Sequence, residues 1–148
     1  MTDRSASFVY VTYIRTTPEK VFEAITRPEL ARRYWGHENL AEAWTPGSAW
    51  CHVRTDAART VDLVGEVLES APPRRLVLSW ANESARADPE AYSRVTFDIE
   101  PQGETVKLTV THEELQPGSG MFNGISKGWP LVLSSLKSFL ETGRGMEL

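Results

Sequence analysis

Along most of this chain apolar and polar residues alternate with a period of two, and after Pro130 they switch to spacings of three and four. Phe8 to Arg15, rich in aromatic and β-branched residues, predicts a first strand. Thr16-Thr17-Pro18-Glu19 then predicts a helix start with proline in the first turn and either threonine as cap. Val21, Phe22 and Ile25 share one face of that helix, Arg27-Pro28 breaks it, and Leu30 to Trp35 forms a second short helix. After Gly36 the pattern is strand-like. Leu40 to Trp44 and Ala49 to Arg54 make a hairpin across Thr45-Pro46-Gly47-Ser48, a type II turn. Val61 to Glu69 pairs with Leu76 to Trp80, sending Asp62 and Glu66 to water and Val61, Leu63 and Val67 inward. A turn centred on Pro72-Pro73 sets Val67 opposite Leu78 and Gly65 opposite Trp80, where the glycine gives the indole room. A turn around Gln102-Gly103 pairs Tyr92 to Glu100 with Thr105 to Glu113. It sets Val95 against Val110, Phe97 against Leu108 and Ile99 against Val106, with His112 inward across from Ser93. Arg94, Thr96, Asp98, Thr105, Lys107, Thr109 and Thr111 share the wet side.

Beyond Gly128-Trp129-Pro130, the residues Val132, Leu133, Leu136, Phe139 and Leu140 fall on one helical face. Ser134, Ser135, Lys137, Ser138 and Glu141 fall on the other, and Gly143 provides a left-handed stop. Pro130 either opens this helix or kinks a longer one beginning near Phe122, and the longer helix is the reading adopted. The order is therefore strand, two short helices, six strands, long helix. An antiparallel sheet with one apolar face needs a cover, and the last helix supplies it: an α+β fold of about seven strands in one domain spanning residues 1–148.

With 148 residues, 41% of them hydrophobic, the chain has enough apolar surface for a real core, and no stretch approaches the roughly 20 apolar residues of a membrane span. A net charge of −4 and a pI near 5.4, without a basic stripe, argue against nucleic acid as partner. Met1-Thr2-Asp3-Arg4-Ser5 lacks the layout of a secretory signal, so a cytoplasmic location is expected. Cys51 is the sole cysteine, which excludes an internal disulfide and reads as a buried, inert thiol.

Several segments carry a family pattern in order. These are Thr17 to Phe22 (Thr-Pro-Glu-Lys-Val-Phe), Arg27-Pro28-Glu29-Leu30 with Tyr34-Trp35, and Pro46-Gly47 before Trp50. Gly65-Glu66-Val67 then leads to Pro72-Pro73-Arg74-Arg75-Leu76 and Ser79-Trp80. Leu108 to His112 and Gly128-Trp129 with Leu133 and Leu136 complete the set. From Val9 to Leu140 the chain resembles the activator of heat-shock protein 90 ATPase homologue family, within the START-like or birch-pollen-allergen-like helix-grip superfamily (SRPBCC). The resemblance implies a curved sheet gripping a long C-terminal helix over its concave face, with a cavity between them that in such folds often takes a hydrophobic or amphipathic small molecule. The turn after the second strand departs from the family, which often carries an acidic or amide residue and a double glycine where this chain has Trp44-Thr45-Pro46-Gly47-Ser48. The eukaryotic activator docks on the chaperone through a separate N-terminal domain for which these residues leave no space, so the chaperone is an unfavoured partner.

No nucleophile-base pair, carboxylate dyad or phosphate loop stands out. His37, His52 and His112 are far apart and form no helical metal pair, so no metal or cofactor is expected. Glu113-Glu114, and Glu38 with Glu42, read as solvated surface, and Gly118-Ser119-Gly120 as a flexible hinge. What remains is an aromatic set: Trp35, Trp44, Trp50, Trp80 and Trp129 with Tyr34, Phe97 and Phe122, joined by Leu133 and Leu136. Such side chains either fill the core, each contributing roughly 1.5–3 kcal/mol, or wall a ligand cavity. His112, Ser93 or Asn82 would supply the polar contacts of a cavity, with His112 as anchor. The function expected is a non-enzymatic binding domain for a small hydrophobic or aromatic molecule. A cyclase- or dehydratase-like enzyme with His112 moving a proton, and a chaperone-interaction module, are the alternatives. Leu40 to Trp44, as an edge strand, could pair two copies into a homodimer.

Overall fold

A computed structural model describes residues 2–148. Its seven strands are β1 (Ala6–Ile14), β2 (His37–Ala41), β3 (Ala49–Arg54), β4 (Val61–Ala71), β5 (Arg75–Asn82), β6 (Ser93–Gln102) and β7 (Thr105–Leu115). They form one antiparallel sheet in the order β1-β7-β6-β5-β4-β3-β2, so β1 and β2 are its edges. The short helices α1 (Pro18–Thr26) and α2 (Pro28–Trp35) separate β1 from β2, and the long α3 (Gly120–Thr142) follows β7. This is the curved, helix-grip α+β architecture expected from the sequence.

Local chemistry sets the helix ends. Thr17 caps α1 by accepting from the Lys20 N–H at 3.3 Å, and Gly36 closes α2 in the left-handed conformation. Ser119 Oγ accepts from the Phe122 N–H at 3.1 Å, so the Gly118-Ser119-Gly120 segment read as a hinge contains the cap of α3. α3 runs through Pro130 to Thr142 and ends at Gly143, φ 87°. The longer helix is thus the correct alternative.

Two registers differ from expectation in an instructive way. Val67 does pair with Leu78, but nearer the turn Glu69 pairs with Val77 and Ser70 with Leu76. The turn holds the three residues Pro72–Arg74, one more than a centre on Pro72-Pro73 allows, and a bulge at Leu68 restores the pairing beyond it. Between β6 and β7 the loop is the two residues Gly103-Glu104, with Gly103 at φ 61°. Val95 therefore faces His112, Phe97 faces Val110 and Ile99 faces Leu108. Moving the turn centre by one residue slides each partner by two, which changes neighbours and preserves faces.

Three further expectations are corrected. The second strand starts at His37 and ends at Ala41, so Trp44 lies on the following loop, where Pro46 and Gly47 (φ 93°) still make the expected turn, closed by Ser48 N–H to Thr45 O at 3.1 Å. Glu38 is buried rather than solvated, because Arg59 at 2.6 Å and Arg32 at 3.3 Å each take one of its oxygens. Cys51 is only partly buried, and burial raises its thiol pKa. The core lies between the sheet and the three helices, with Ile14, Leu76, Leu108, Val110, Leu133 and Leu136 all essentially inaccessible.

Candidate functional site

Strand parity brings Trp50 and His52 of β3, Leu63 of β4, Trp80 of β5, Phe97 of β6 and His112 of β7 to the face under α3. α3 lowers Trp129 into them, and the last residue of α2 adds Trp35. The Trp129 ring centre lies 5.7 Å from Trp35, 5.5 Å from Trp80 and 5.8 Å from Phe97, the last edge-to-face. Trp50 packs on the far side of Trp80 at 5.3 Å.

The glycine opposite Trp80 serves a different indole from the one expected. Gly65 pairs with Trp50 on β3, and a Cβ there would stand 1.9 Å from Ser79 O and 2.5 Å from Trp50 Nε1. Its bare backbone lets the Trp50 N–H reach Ser79 O at 2.8 Å.

Two buried histidines are fixed by hydrogen bonding. Trp129 Nε1–H donates to His112 Nδ1 at 3.0 Å, so the imidazole proton sits on Nε2 and is given to Ser93 Oγ at 2.7 Å. Ser93 in turn donates to Trp80 O at 3.0 Å. Both ring nitrogens of His112 are occupied by the protein, and burial lowers its pKa to about 3. His52 is held from the other side: Asn39 Nδ2 donates to Ile25 O at 2.8 Å, which turns Asn39 Oδ1 toward His52 Nδ1–H at 2.6 Å. Its ring stacks on His37, 4.3 Å away and 4° from parallel, and lies 4.7 Å from Trp35. Burial first, then the neighbouring His37, lower the His52 pKa to about 3. His37 Nε2 is 3.0 Å from Asp62, which also takes both short contacts from Arg54 Nε.

Between these rings and the first half of α3 is a small pocket of about 120 Å³, open to the surface, lined by Trp35, Leu63, Trp80, Trp129, Ile125 and Val132. Gly124 and Gly128, one helical turn apart, form its helix side, and a Cβ on either would meet nothing within 4 Å. The Trp80 N–H is buried without a partner. A larger cleft of about 730 Å³ lies open at the surface beside Leu40, Cys51, Val64 and Arg86. It holds none of the aromatic cluster except Trp50.

Of the residues read from the sequence, Trp35, Trp80 and Trp129 wall the cavity, and Trp50, Phe97 and His112 pack against that wall. Tyr34 is turned away, its hydroxyl donating to Ala24 O at 2.9 Å and its ring stacked on Phe139. Leu133 and Leu136 are core, Phe122 and Trp44 pack at its margin, and Asn82 is exposed. His52, Leu63 and the two glycines were not foreseen. The alternation Trp50-Cys51-His52 and the four-residue glycine spacing were the available signals. Among the described residues no three His, Cys, Asp or Glu side chains form a metal cluster, and no helix is long and apolar enough to cross a membrane.

Solved structures share this fold. The solution structure of the Aha1 dimer from Colwellia psychrerythraea matches with a TM-score of 0.76 at 20% identity, covering 95% of this chain and 99% of that one. A protein of Mesorhizobium loti matches with 0.74 at 25% identity over 91% and 96%. CalU16 from Micromonospora echinospora matches with 0.72 at 21% over 94% and 78%. No curated protein matches the sequence. The sequence profile of the family described as Activator of Hsp90 ATPase homolog 1-like protein matches residues 15–141, and the chain belongs to that family.

Proposed function

We propose that this protein binds a small hydrophobic or aromatic molecule between α3 and the sheet. The observation that carries the reading is the pair Gly124 and Gly128. Glycine inside a helix costs about 1 kcal/mol relative to alanine, and here each stands where a side chain would fit without a clash. Gly128, half-buried against the pocket, and Gly124, exposed at its mouth, are unfavourable in a helix, and their missing side chains leave the pocket open from the helix side. The enzyme alternative is less well supported, because His112, its proton carrier, has both nitrogens engaged. The test is titration of intrinsic tryptophan fluorescence with aromatic and aliphatic ligands, repeated on Gly128→Leu. Binding by the native chain and none by a folded Gly128→Leu supports the proposal; no binding to any ligand overturns it.

Self-association is a second reading, favoured by β1 rather than by the β2 edge. Val9, Val11 and Tyr13 are exposed along one face of this nine-residue edge strand, and the relative from C. psychrerythraea is a dimer in solution. Light scattering of native and Val11→Lys protein across a concentration series tests it: a mass that stays monomeric throughout refutes it.

A further inference from the structure

Of the three histidines, one keeps a ring nitrogen that the protein neither uses nor seals away. Both nitrogens of His112 are taken, by Trp129 and Ser93, and His37 has Nε2 on Asp62 and a buried Nδ1. His52 is 3% exposed and gives its Nδ1 proton to Asn39, while no hydrogen bond among the described residues reaches its Nε2. Unlike Trp80 Nε1 and His37 Nδ1, this unpaired atom is not closed off from solvent. We infer that His52 Nε2 is the polar anchor of the pocket under α3, and that the guest is an apolar molecule bearing an uncharged hydroxyl or N–H that it donates to this nitrogen; the inference rests on the binding reading above.

Direction is the first argument. Asn39 on β2 and Leu63 on β4 flank His52 as its two cross-strand partners. The two nitrogens of an imidazole point to nearly opposite sides of the ring, so with Nδ1 held on the β2 side, Nε2 points away from it, to the side of Leu63. Leu63 lines the pocket, and so do the two indoles beside the ring, Trp35 at 4.7 Å and Trp80 at 6.3 Å between centres. Rigidity is the second. The ring is stacked on His37, and its partner Asn39 is itself tied to Ile25 O, so tautomer and orientation are set before any guest arrives. Charge is the third. Burial, then His37, lower the pKa to about 3, so at neutral pH Nε2 is an acceptor alone. It pairs a neutral donor, whereas a carboxylate, which has only acceptors, gains nothing from it.

2-Naphthol and 2-methoxynaphthalene share the rings and the oxygen and differ in the donor, so calorimetry with both on native protein and His52→Phe isolates it. Native protein is expected to bind 2-naphthol about tenfold more tightly than the ether, and His52→Phe to bind the two within about twofold of one another. A preference that His52→Phe retains, or no preference for the naphthol in native protein, overturns the anchor. If His52→Phe does not fold, nitrogen-15 NMR of native protein decides: the His52 Nε2 resonance moves upfield with 2-naphthol and stays in place with the ether, and a resonance that treats both alike overturns it. 2-Naphthoate and palmitate complete the panel. Binding of these but not of 2-naphthol overturns the inference and leaves the binding function standing; binding of nothing overturns both.

Discussion

Acidification from pH 7 to pH 5 should remove roughly 4 kcal/mol of folding stability, and the structure says which groups are responsible. His52 and His112 are 3% and 0% exposed and titrate near 3 in the folded chain, against about 6.5 for an unperturbed histidine. Between these values the unfolded chain binds protons that the folded chain refuses. Stability is therefore full above about pH 6.5 and falls as the pH drops toward 3. Each imidazole contributes about 1.9 kcal/mol over the interval, and raising either folded value by a whole unit changes this by less than about 0.1 kcal/mol. The lowered carboxylates, Glu29, Asp62 and Glu141, lose their contribution as the pH falls through and below the ordinary carboxylate range, almost wholly beneath this window. Urea unfolding at the two pH values, followed by tryptophan fluorescence, measures the difference. Taken against a typical total of about 5–15 kcal/mol, a loss of this size is unmistakable. His112→Gln should reduce it to about 2 kcal/mol. A native change below about 1 kcal/mol, or an undiminished change in His112→Gln, refutes the assignment to these two rings.

Three substitutions check other parts of the geometry. Gly65→Ala places a methyl 1.9 Å from a backbone oxygen of the neighbouring strand and should cost more than about 3 kcal/mol by urea unfolding. Gly128→Ala meets nothing within 4 Å and should stabilise by up to about 1 kcal/mol, so a destabilised variant would show that the cavity is not open as described. Trp129→Phe keeps a ring over Trp80 but leaves His112 Nδ1 without its donor; a loss of about 1–3 kcal/mol beyond the packing change is expected, and a pH profile identical to native refutes the proposed tautomer.

The fold was readable because its main signals are local. The period of two in Val95 to Ile99 and Val106 to Val110 assigned faces correctly even though the turn was misplaced by one residue, since parity survives a slip of two. The start at Thr17-Pro18 and the stop at Gly143 were likewise visible as caps. The site was only half readable. That Trp35, Trp80 and Trp129 converge follows from faces, but whether His112 serves a ligand or the protein depends on a hydrogen bond between α3 and β7 that no local pattern encodes. Glu38 was misread for the same reason. Its burial depends on Arg32 and Arg59, one before it on α2 and the other in the β3–β4 loop.

The two halves of α3 divide its work. Leu133, Leu136 and Phe139 of the second half are buried, and Ser135 Oγ donates to Tyr34 O and accepts from the Met146 N–H, tying helix, α2 and tail together. The first half holds Gly124, Gly128 and Pro130, the residues least suited to a helix interior, and Pro130 further leaves the Ser126 carbonyl without its helical donor. Its attachment to the sheet runs largely through Ile125 and Trp129, the two side chains there that are buried. The half that carries these poor helix formers is the half above the pocket, and the residue that fastens it, Trp129, also lines that pocket. On the binding proposal, a ligand that packs against Trp129 would act on the same contact that holds this part of the helix down, and its binding would be coupled to the order of the helix above it.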